Sequence, residues 1–147
     1  GQAFMKASIG AGNPIPFEGS VFISVNNSDK MDIIPLARDL NEMGFSLIAT
    51  TGTAKELERN GLDVEHVFKV GEGRPNVVDE IKNGHINLVI NTPMGARSRF
   101  DEEAIGCACI QYGVLAITTL SGANAILRAI RSKQKPLQLN SLQNYHA

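Results

Sequence analysis

The segment Thr50-Thr51-Gly52-Thr53 combines residue types that bind phosphate. Hydroxyl groups donate hydrogen bonds to phosphate oxygens, and a glycine lets the backbone approach a ligand closely. If a helix begins here, its free N–H groups and its dipole favour an anion. Threonine is also a common N-cap and glycine a common turn residue, so the same four residues suit a plain strand-to-helix turn. The segment is a candidate phosphate site that needs cations beside it.

Two lysines near the ends of other strand-like runs could supply those cations. Lys30 comes shortly after the first run, and Lys69 lies in the shorter third run. In an open α/β sheet, ligands bind outside the carboxyl ends of the strands, where these residues would meet. Asn91 and Pro93 after the fourth run, and Thr118 at the end of the fifth, fall at the same edge. Arg74, Arg97 and Arg99 are also near it, where a solvated surface position is the ordinary interpretation for each.

The elements that would position these residues alternate along the chain. Five short runs rich in Val and Ile predict buried strands, and helical spacing of apolar residues fills each gap between them. This alternation predicts a three-layer, doubly wound α/β domain with a central, mainly parallel five-stranded sheet. The predicted strands are Ser20–Val25, Phe45–Thr50, Glu65–Val70, Ile86–Asn91 and Val114–Thr119. The predicted helices are Ile33–Met43, Ala54–Asn60, Val77–Asn83, Glu102–Tyr112 and Asn124–Ser132.

The two ends of the chain differ from this regular pattern. Residues 1–19 have no helical or strand period, and we expect them to be the end of a preceding element and a linker. Residues 20–147 form the α/β domain in this interpretation. The polar tail from Pro136 onward could hold a short extra strand.

Composition restricts the classes of partner. The 147 residues suit one domain, with 43% hydrophobic and 20% charged residues as in soluble globular proteins. A formal net charge of −1 gives no global attraction to nucleic acid or to an anionic membrane. Cys107 and Cys109 do not match a C-x-x-C pattern, and the three histidines have no metal-like spacing, so no metal or cofactor is predicted. No signal peptide or membrane-spanning stretch is visible, and we expect a cytoplasmic protein.

Several enzyme classes lack their motifs in this sequence. It has no G-x-G-x-x-G after the first strand, no P-loop pattern and no G-x-S-x-G nucleophile elbow. A phosphate-accepting receiver domain would need acidic residues where the chain has Asn26 and Asn91, and a lysine near Thr118. The residues alone therefore favour a binding module over a catalyst.

Several motifs in register resemble one known family. They are VFISVNNSDK, GFSLIATTGTAKEL, VFKVGEGRPNVVDEIKNG, LVINTP and QYGVLAITTLSGANA. In this order they resemble the carboxyl-terminal, methylglyoxal-synthase-like domain of the carbamoyl phosphate synthetase large subunit, bacterial type. The resemblance extends from about Phe4 to Gln143, and Phe4-Met5-Lys6-Ala7 is similar to the end of the domain that precedes it in that family.

The resemblance implies a regulatory domain that is not itself catalytic. The family's enzyme is an ATP-dependent ligase that makes carbamoyl phosphate from glutamine-derived ammonia, bicarbonate and ATP, for pyrimidine and arginine synthesis. Uridine monophosphate (UMP) inhibits and inosine monophosphate (IMP) activates its bacterial members through this domain. The implied partners are these nucleotides, the other domains of the large subunit and the glutaminase small subunit. ATP, magnesium and potassium would bind only those other domains.

The family's site residues can be placed on this sequence one by one. Lys30, Thr50 and Thr53 match phosphate-binding positions, with Thr51 and Gly52 between them, and Lys69 and Asn91 match positions around the ribose and base. Pro93 stands where the family pattern has a second hydroxyl residue, and proline has neither a hydroxyl nor an N–H. Thr118 matches a position that reaches an ornithine site at the junction with the neighbouring domain.

Two related enzymes and an interaction domain are the alternatives. Methylglyoxal synthase has an aspartate in the loop where this chain has Gly73-Arg74-Pro75, so a base for proton abstraction is missing there. The cyclohydrolase domain of purine synthesis shares the SV-x-x-x-DK and TGTA character, but its lysine- and histidine-containing stretch is absent. A lyase that acts on a small phosphate ester remains the main alternative. A pure interaction domain would be favoured if a partner buried the Thr-Gly-Thr loop.

Overall fold

The computed structural model describes residues 15–93 and 99–146, with side chains described as far as residue 133. Five strands, β1 to β5, form one sheet in the order β3-β2-β1-β4-β5, and every neighbouring pair is parallel. This confirms the predicted α/β class and makes the sheet wholly parallel. The strands are β1 (Ser20–Ser24), β2 (Ser46–Ala49), β3 (Val64–His66), β4 (Leu88–Asn91) and β5 (Leu115–Ile117).

Helices cover both faces of the sheet, as the alternation predicted. Val21 and Ile23 of β1 point into a core cluster shared with α1, α2 and α5, whereas Phe22 points into a second cluster shared with α3 and α4. Successive side chains of a strand alternate between faces, so a strand buried on both sides must be apolar throughout. The helices are α1 (Lys30–Glu42), α2 (Thr51–Arg59), α3 (Val77–Lys82), α4 (Arg99–Tyr112) and α5 (Leu120–His146).

The ends of α1 and α3 follow from local chemistry. A 3₁₀ turn, Asn27–Asp29, leads directly into α1, and Pro35 lies inside that helix near its start. Gly44 follows α1 with φ +103°, a left-handed conformation that favours glycine. Asn76 caps α3 by accepting from the N–H groups of Val78 and Asp79, and Asp79 accepts in return from Asn76 N.

Three predicted boundaries were wrong in ways that matter. Helix α2 begins at Thr51 rather than Ala54, so the Thr-Gly-Thr segment is its first turn and not a loop. Strand β3 ends at His66, and beyond it Phe68 makes only an isolated bridge to Asn76. The tail holds no extra strand, because α5 continues through Pro136 to His146. That tail is rich in Leu and Gln and lacks β-branched residues, which favours helix.

The described part of the chain contains no helix that is both long enough and apolar enough to cross a bilayer. The predicted linker residues 1–14 and Arg97 lie outside the described residues.

Candidate functional site

The amino end of α2 stands at the carboxyl end of β2, beside the central strand β1. Thr50 is its N-cap with extended backbone, but its side chain makes no capping hydrogen bond. The first main-chain hydrogen bond of the helix runs from Ala54 N to Thr50 O at 2.8 Å. The N–H groups of Thr51, Gly52 and Thr53 precede that bond, so the helix can present them to an anion.

A pocket of about 280 Å³ lies in front of this helix end, and we call it the polar pocket. Its volume is close to the lower limit of about 300 Å³ for small-molecule sites. It brings together Lys30, Thr50, Gly52, Thr53 and Lys69, as the sequence predicted. The other described residues that line it are Val25, Asn26 and Asn27, so no carboxylate is among them. Two ammonium groups and a helix amino end give this pocket a positive field.

Lys30 owes its place to the 3₁₀ turn after β1. As the first residue of α1, it extends its side chain toward the neighbouring helix end. A Cβ added to Gly52 would lie 3.5 Å from Lys30 Nζ. The ammonium group therefore adjoins the first turn of α2, where a phosphate could accept from both.

The three threonines of the segment have different surroundings. Thr53 is 1% exposed, and its Oγ1 accepts a long, 3.4 Å hydrogen bond from Val25 N at the end of β1. Thr50 is buried but turns toward the polar pocket. The exposed Thr51 lines a different pocket, beside β3, with Glu65 and Phe68. Thr51 therefore contributes only its main-chain N–H, and not its side chain, to the anion-binding end of the helix.

A second, mainly apolar cavity of about 30 Å³, with room for one or two water molecules, adjoins the polar pocket, and we call it the apolar chamber. Thr50 and Lys69 line both cavities, and Asn91 lines the chamber. Phe22, Val70, Val77 and Ile105 supply its apolar walls, and Ser24, Asp101 and Glu102 complete its lining.

The sequence did not predict seven of these chamber residues as site residues, namely Phe22, Ser24, Val70, Val77, Asp101, Glu102 and Ile105. The two carboxylates fall in the first turn of α4, at the same edge of the sheet as the lysines. The acidic residues Asp101 and Glu102, in the first turn of the helix that follows the fourth strand, were the feature of the sequence that could have indicated this wall. The apolar side chains resembled ordinary core residues, and nothing in their spacing marked them as a cavity wall.

Besides Thr51, two predicted site residues line neither cavity among the residues described. Pro93 is exposed, and its carbonyl oxygen accepts from Asn26 Nδ2 at 2.9 Å. Thr118 is exposed just beyond β5, at the edge of the sheet, and β4 separates β5 from β1. The structure thus groups Lys30, Thr50, Gly52 and Thr53 of the predicted phosphate residues and separates Thr118 from them.

Arg74 is engaged in the α3 cap and does not point into either cavity. Its Nη2 and Nε lie 2.8 and 3.2 Å from the two carboxylate oxygens of Asp79. The hydrogen bond from Arg74, followed by that from Asn76 N, holds the pKa of Asp79 below its ordinary value. The loop before α3 is further closed by Lys69 N, which donates to Glu72 Oε1 at 3.1 Å.

Metal binding finds no support in the described part of the chain. No group of three or more His, Cys, Asp and Glu side chains there could hold a metal ion.

Comparison with known proteins identifies the family. Residues 32–118 match the family described as MGS-like domain. The chain is 45% identical over 99% of its length to the carbamoyl phosphate synthase large chain of Archaeoglobus fulgidus, covering 14% of that protein. It is 44% identical over 99% of its length to the carbamoyl phosphate synthase large chain, C-terminal section, of Aquifex aeolicus, covering 28% of it. The chain therefore spans a small part of the curated relatives that it matches.

A solved structure agrees with the fold. The crystal structure of methylglyoxal synthase from Elizabethkingia anophelis superposes with a TM-score of 0.62, covering 77% of this chain and 79% of that one. The two sequences are 20% identical, so this likeness concerns the fold alone. The family match over more than half of the chain, the shared fold and the similarity to carbamoyl phosphate synthase large chains together show that the chain belongs to the MGS-like domain family.

Proposed function

We propose that this chain is the regulatory domain of a carbamoyl phosphate synthase large chain, and that it binds a nucleoside monophosphate such as UMP or IMP. The observation that carries the proposal is the junction of the two cavities at Thr50 and Lys69. A nucleoside monophosphate has an anionic end and a flat, largely apolar end joined by a sugar. The positive polar pocket suits the anionic end, and Lys69 with the nearby Asn91 suits the sugar that follows it.

The phosphate would occupy the polar pocket. Lys30 and Lys69 would neutralise its charge, and the N–H groups of Gly52 and Thr53 would donate to its oxygens together with the Thr50 hydroxyl. Lys69 and Asn91 would contact the sugar where the cavities meet, and the base would extend along the open side of the polar pocket, because the chamber, at about 30 Å³, is too small for a base. Pro93 would contribute no side-chain hydrogen bond, which distinguishes this chain from relatives with a hydroxyl there.

The regulatory role implies further partners, which are part of the same proposal. The remaining large-chain domains, the glutaminase subunit, ATP, and magnesium and potassium ions would act outside this chain, in the cytoplasm. Residues 1–19 would connect to the preceding domain, and Thr118 would face it at the ornithine site. Two exposed apolar side chains of α4 support the proposal of a neighbouring domain. Phe100 and Ile110 are 72% and 78% exposed on the outer side of this helix.

Calorimetric titration of the chain tests the proposal. UMP and IMP should bind, uridine and inosine should bind more weakly, and inorganic phosphate should compete with the nucleotides. If no nucleoside monophosphate binds at millimolar concentration, the regulatory proposal is wrong.

A lyase that acts on a small phosphate ester is the second candidate, and Asp101 is the observation that favours it. Its position on the chamber wall, with Lys69 on the same lining, provides a carboxylate that the sequence did not reveal. A carboxylate there could remove a proton beside a carbonyl group while the polar pocket holds the phosphate. Incubation with dihydroxyacetone phosphate and an assay for methylglyoxal separates this candidate from the regulatory domain, since only the lyase would form product.

A further inference from the structure

Asn26 connects the polar pocket to the loop after β4. Its main-chain N–H donates to Thr92 Oγ1 at 3.0 Å, and its Nδ2 donates to Pro93 O at 2.9 Å. On its other side, its Oδ1 accepts from Asp29 N at 2.9 Å and from Ser28 Oγ at 2.7 Å. One half-buried residue therefore bonds both the 3₁₀ turn that precedes Lys30 and the segment that follows Asn91.

The orientation of the Asn26 amide is determined by its partners. Asp29 N–H can only donate and the Pro93 carbonyl can only accept, so Oδ1 must face the turn and Nδ2 must face the loop. Both contacts use the same planar group, and a rotation of that group would weaken both together. Thr92 is 1% exposed, and its N–H bonds Ser24 O at 3.0 Å, so the loop end of this connection is firmly held.

We propose that Asn26 is a positioning residue that couples the two cavities, so that an anion bound at Lys30 orders the β4 end of the apolar chamber. This inference rests on the proposed function, because it assumes that the polar pocket takes a phosphate. An anion that draws Lys30 toward Gly52 moves the first turn of α1 and the 3₁₀ turn before it. Asn26 transmits that shift to Thr92 and Pro93, which adjoin Asn91 on the chamber wall.

The substitution Asn26→Ser tests this coupling with little change to the turn. A serine oxygen at the N-cap can still accept from Asp29 N, whereas serine lacks the Nδ2 group that donates to Pro93 O. A matched control lies at the opposite end of the same strand pair, where Asn87 Oδ1 accepts from Ser20 N at 2.9 Å. Asn87→Ser therefore weakens a side-chain contact between the same two strands, away from both cavities.

The primary readout is an NMR titration of the whole chain with inorganic phosphate. In the wild-type chain and in Asn87→Ser, phosphate should shift the amide signals of Gly52 and Thr53 and also those of Asn91 and Thr92. In Asn26→Ser the signals of Gly52 and Thr53 should still shift, whereas those of Asn91 and Thr92 should shift clearly less, because only the main-chain bond from residue 26 to Thr92 remains. The affinity for UMP or IMP should fall about tenfold in Asn26→Ser, and less than about threefold in Asn87→Ser.

The outcomes separate the coupling from the proposed function. If phosphate shifts Asn91 and Thr92 equally in Asn26→Ser and the wild-type chain, the coupling is wrong although the binding site stands. Unchanged nucleotide affinity in Asn26→Ser would also overturn the coupling. If the wild-type chain binds neither phosphate nor a nucleotide, the coupling and the proposed function both fail.

Discussion

Lys30 and Gly52 belong to the first turns of two different helices, and the ammonium nitrogen of one adjoins the Cα of the other. A Cβ on residue 52 would lie 3.5 Å from Lys30 Nζ, an ordinary contact distance. Gly52 does not have a positive φ, so its backbone does not require glycine. The absence of a side chain leaves room between the lysine and the helix end, where we place the phosphate.

Gly52→Ala should therefore leave the fold intact and weaken phosphate binding about tenfold or more, because the methyl group would occupy that room. Gly106→Ala is the matched control, since a Cβ there meets nothing within 4 Å. That control should raise the free energy of unfolding by about 0.5–1 kcal/mol with no change in affinity. Titration and urea unfolding of both variants check the prediction, and equal affinities would contradict it.

Lys30→Met and Lys69→Met should each reduce nucleotide affinity more than tenfold at low salt, because each removes a cation from a pocket with no carboxylate among its described lining residues. The loss should shrink as ionic strength rises, since salt screens the wild-type attraction. Lys55→Met, on the exposed side of α2, is the control. An equal loss for Lys55→Met would show that net charge alone matters.

Thr50→Val and Thr53→Val should separate binding from stability. Thr50 makes no capping bond, so its valine variant should lose affinity with little change in the free energy of unfolding. Thr53→Val removes the acceptor of Val25 N and should lower stability by about 1 kcal/mol as well. Urea unfolding beside titration measures both effects. The distinction fails if the two variants have the same stability.

The sequence predicted the order and class of the elements because each is encoded locally. Apolar runs without alternation marked four strands, and glycines marked several helix ends. The third strand was misplaced, because Val67 and Val70 continue an apolar pattern after the pairing with β2 has stopped at His66. The sequence of one strand does not indicate where its pairing with the neighbouring strand stops.

The sequence likewise predicted only the part of the site that local features encode. Lys30, Thr50 and Lys69 follow strands, so topology alone places them at one edge of the sheet. Asp101 and Ile105 reach the chamber because α4 packs across the second face of the sheet, which is a tertiary relation. The separate orientation of Thr51 depends on the helix beginning one residue after Thr50, a boundary that the sequence placed too late.

Asp79→Asn should make the stability of the fold less dependent on pH in the acid range. The lowered pKa of Asp79 means that its ionised form stabilises the fold. That contribution is complete above the unfolded value of about 3.9 and disappears as pH falls through the lower folded value. Asp79→Asn should therefore melt below the wild-type temperature at pH 7, and the two curves should converge in acid. Asp63→Asn, at an exposed position just before β3, is the control variant.

The thiols of Cys107 and Cys109 should react with a disulfide reagent at very different rates. Cys107 is exposed, whereas Cys109 is 1% exposed and burial raises its pKa to about 12. Because the thiolate is the nucleophile, a disulfide reagent at pH 8 should modify one thiol per native chain and two after unfolding. Cys107→Ser should abolish the reaction of the native chain. Rapid modification of Cys109 in the folded variant would contradict its burial.

The central position of β1 has a consequence for how the chain folds. Just after β1, the hydrogen bond from Val25 to Thr53 joins residues 28 apart in the chain, whereas that from Asn26 to Thr92 joins residues 66 apart. Shorter loops close at lower entropic cost, so the β1–β2 half can assemble first. The polar pocket would then form early and the apolar chamber late. A nucleotide whose sugar contacts Asn91 would stabilise only the completed fold, whereas free phosphate could already bind a half-folded chain.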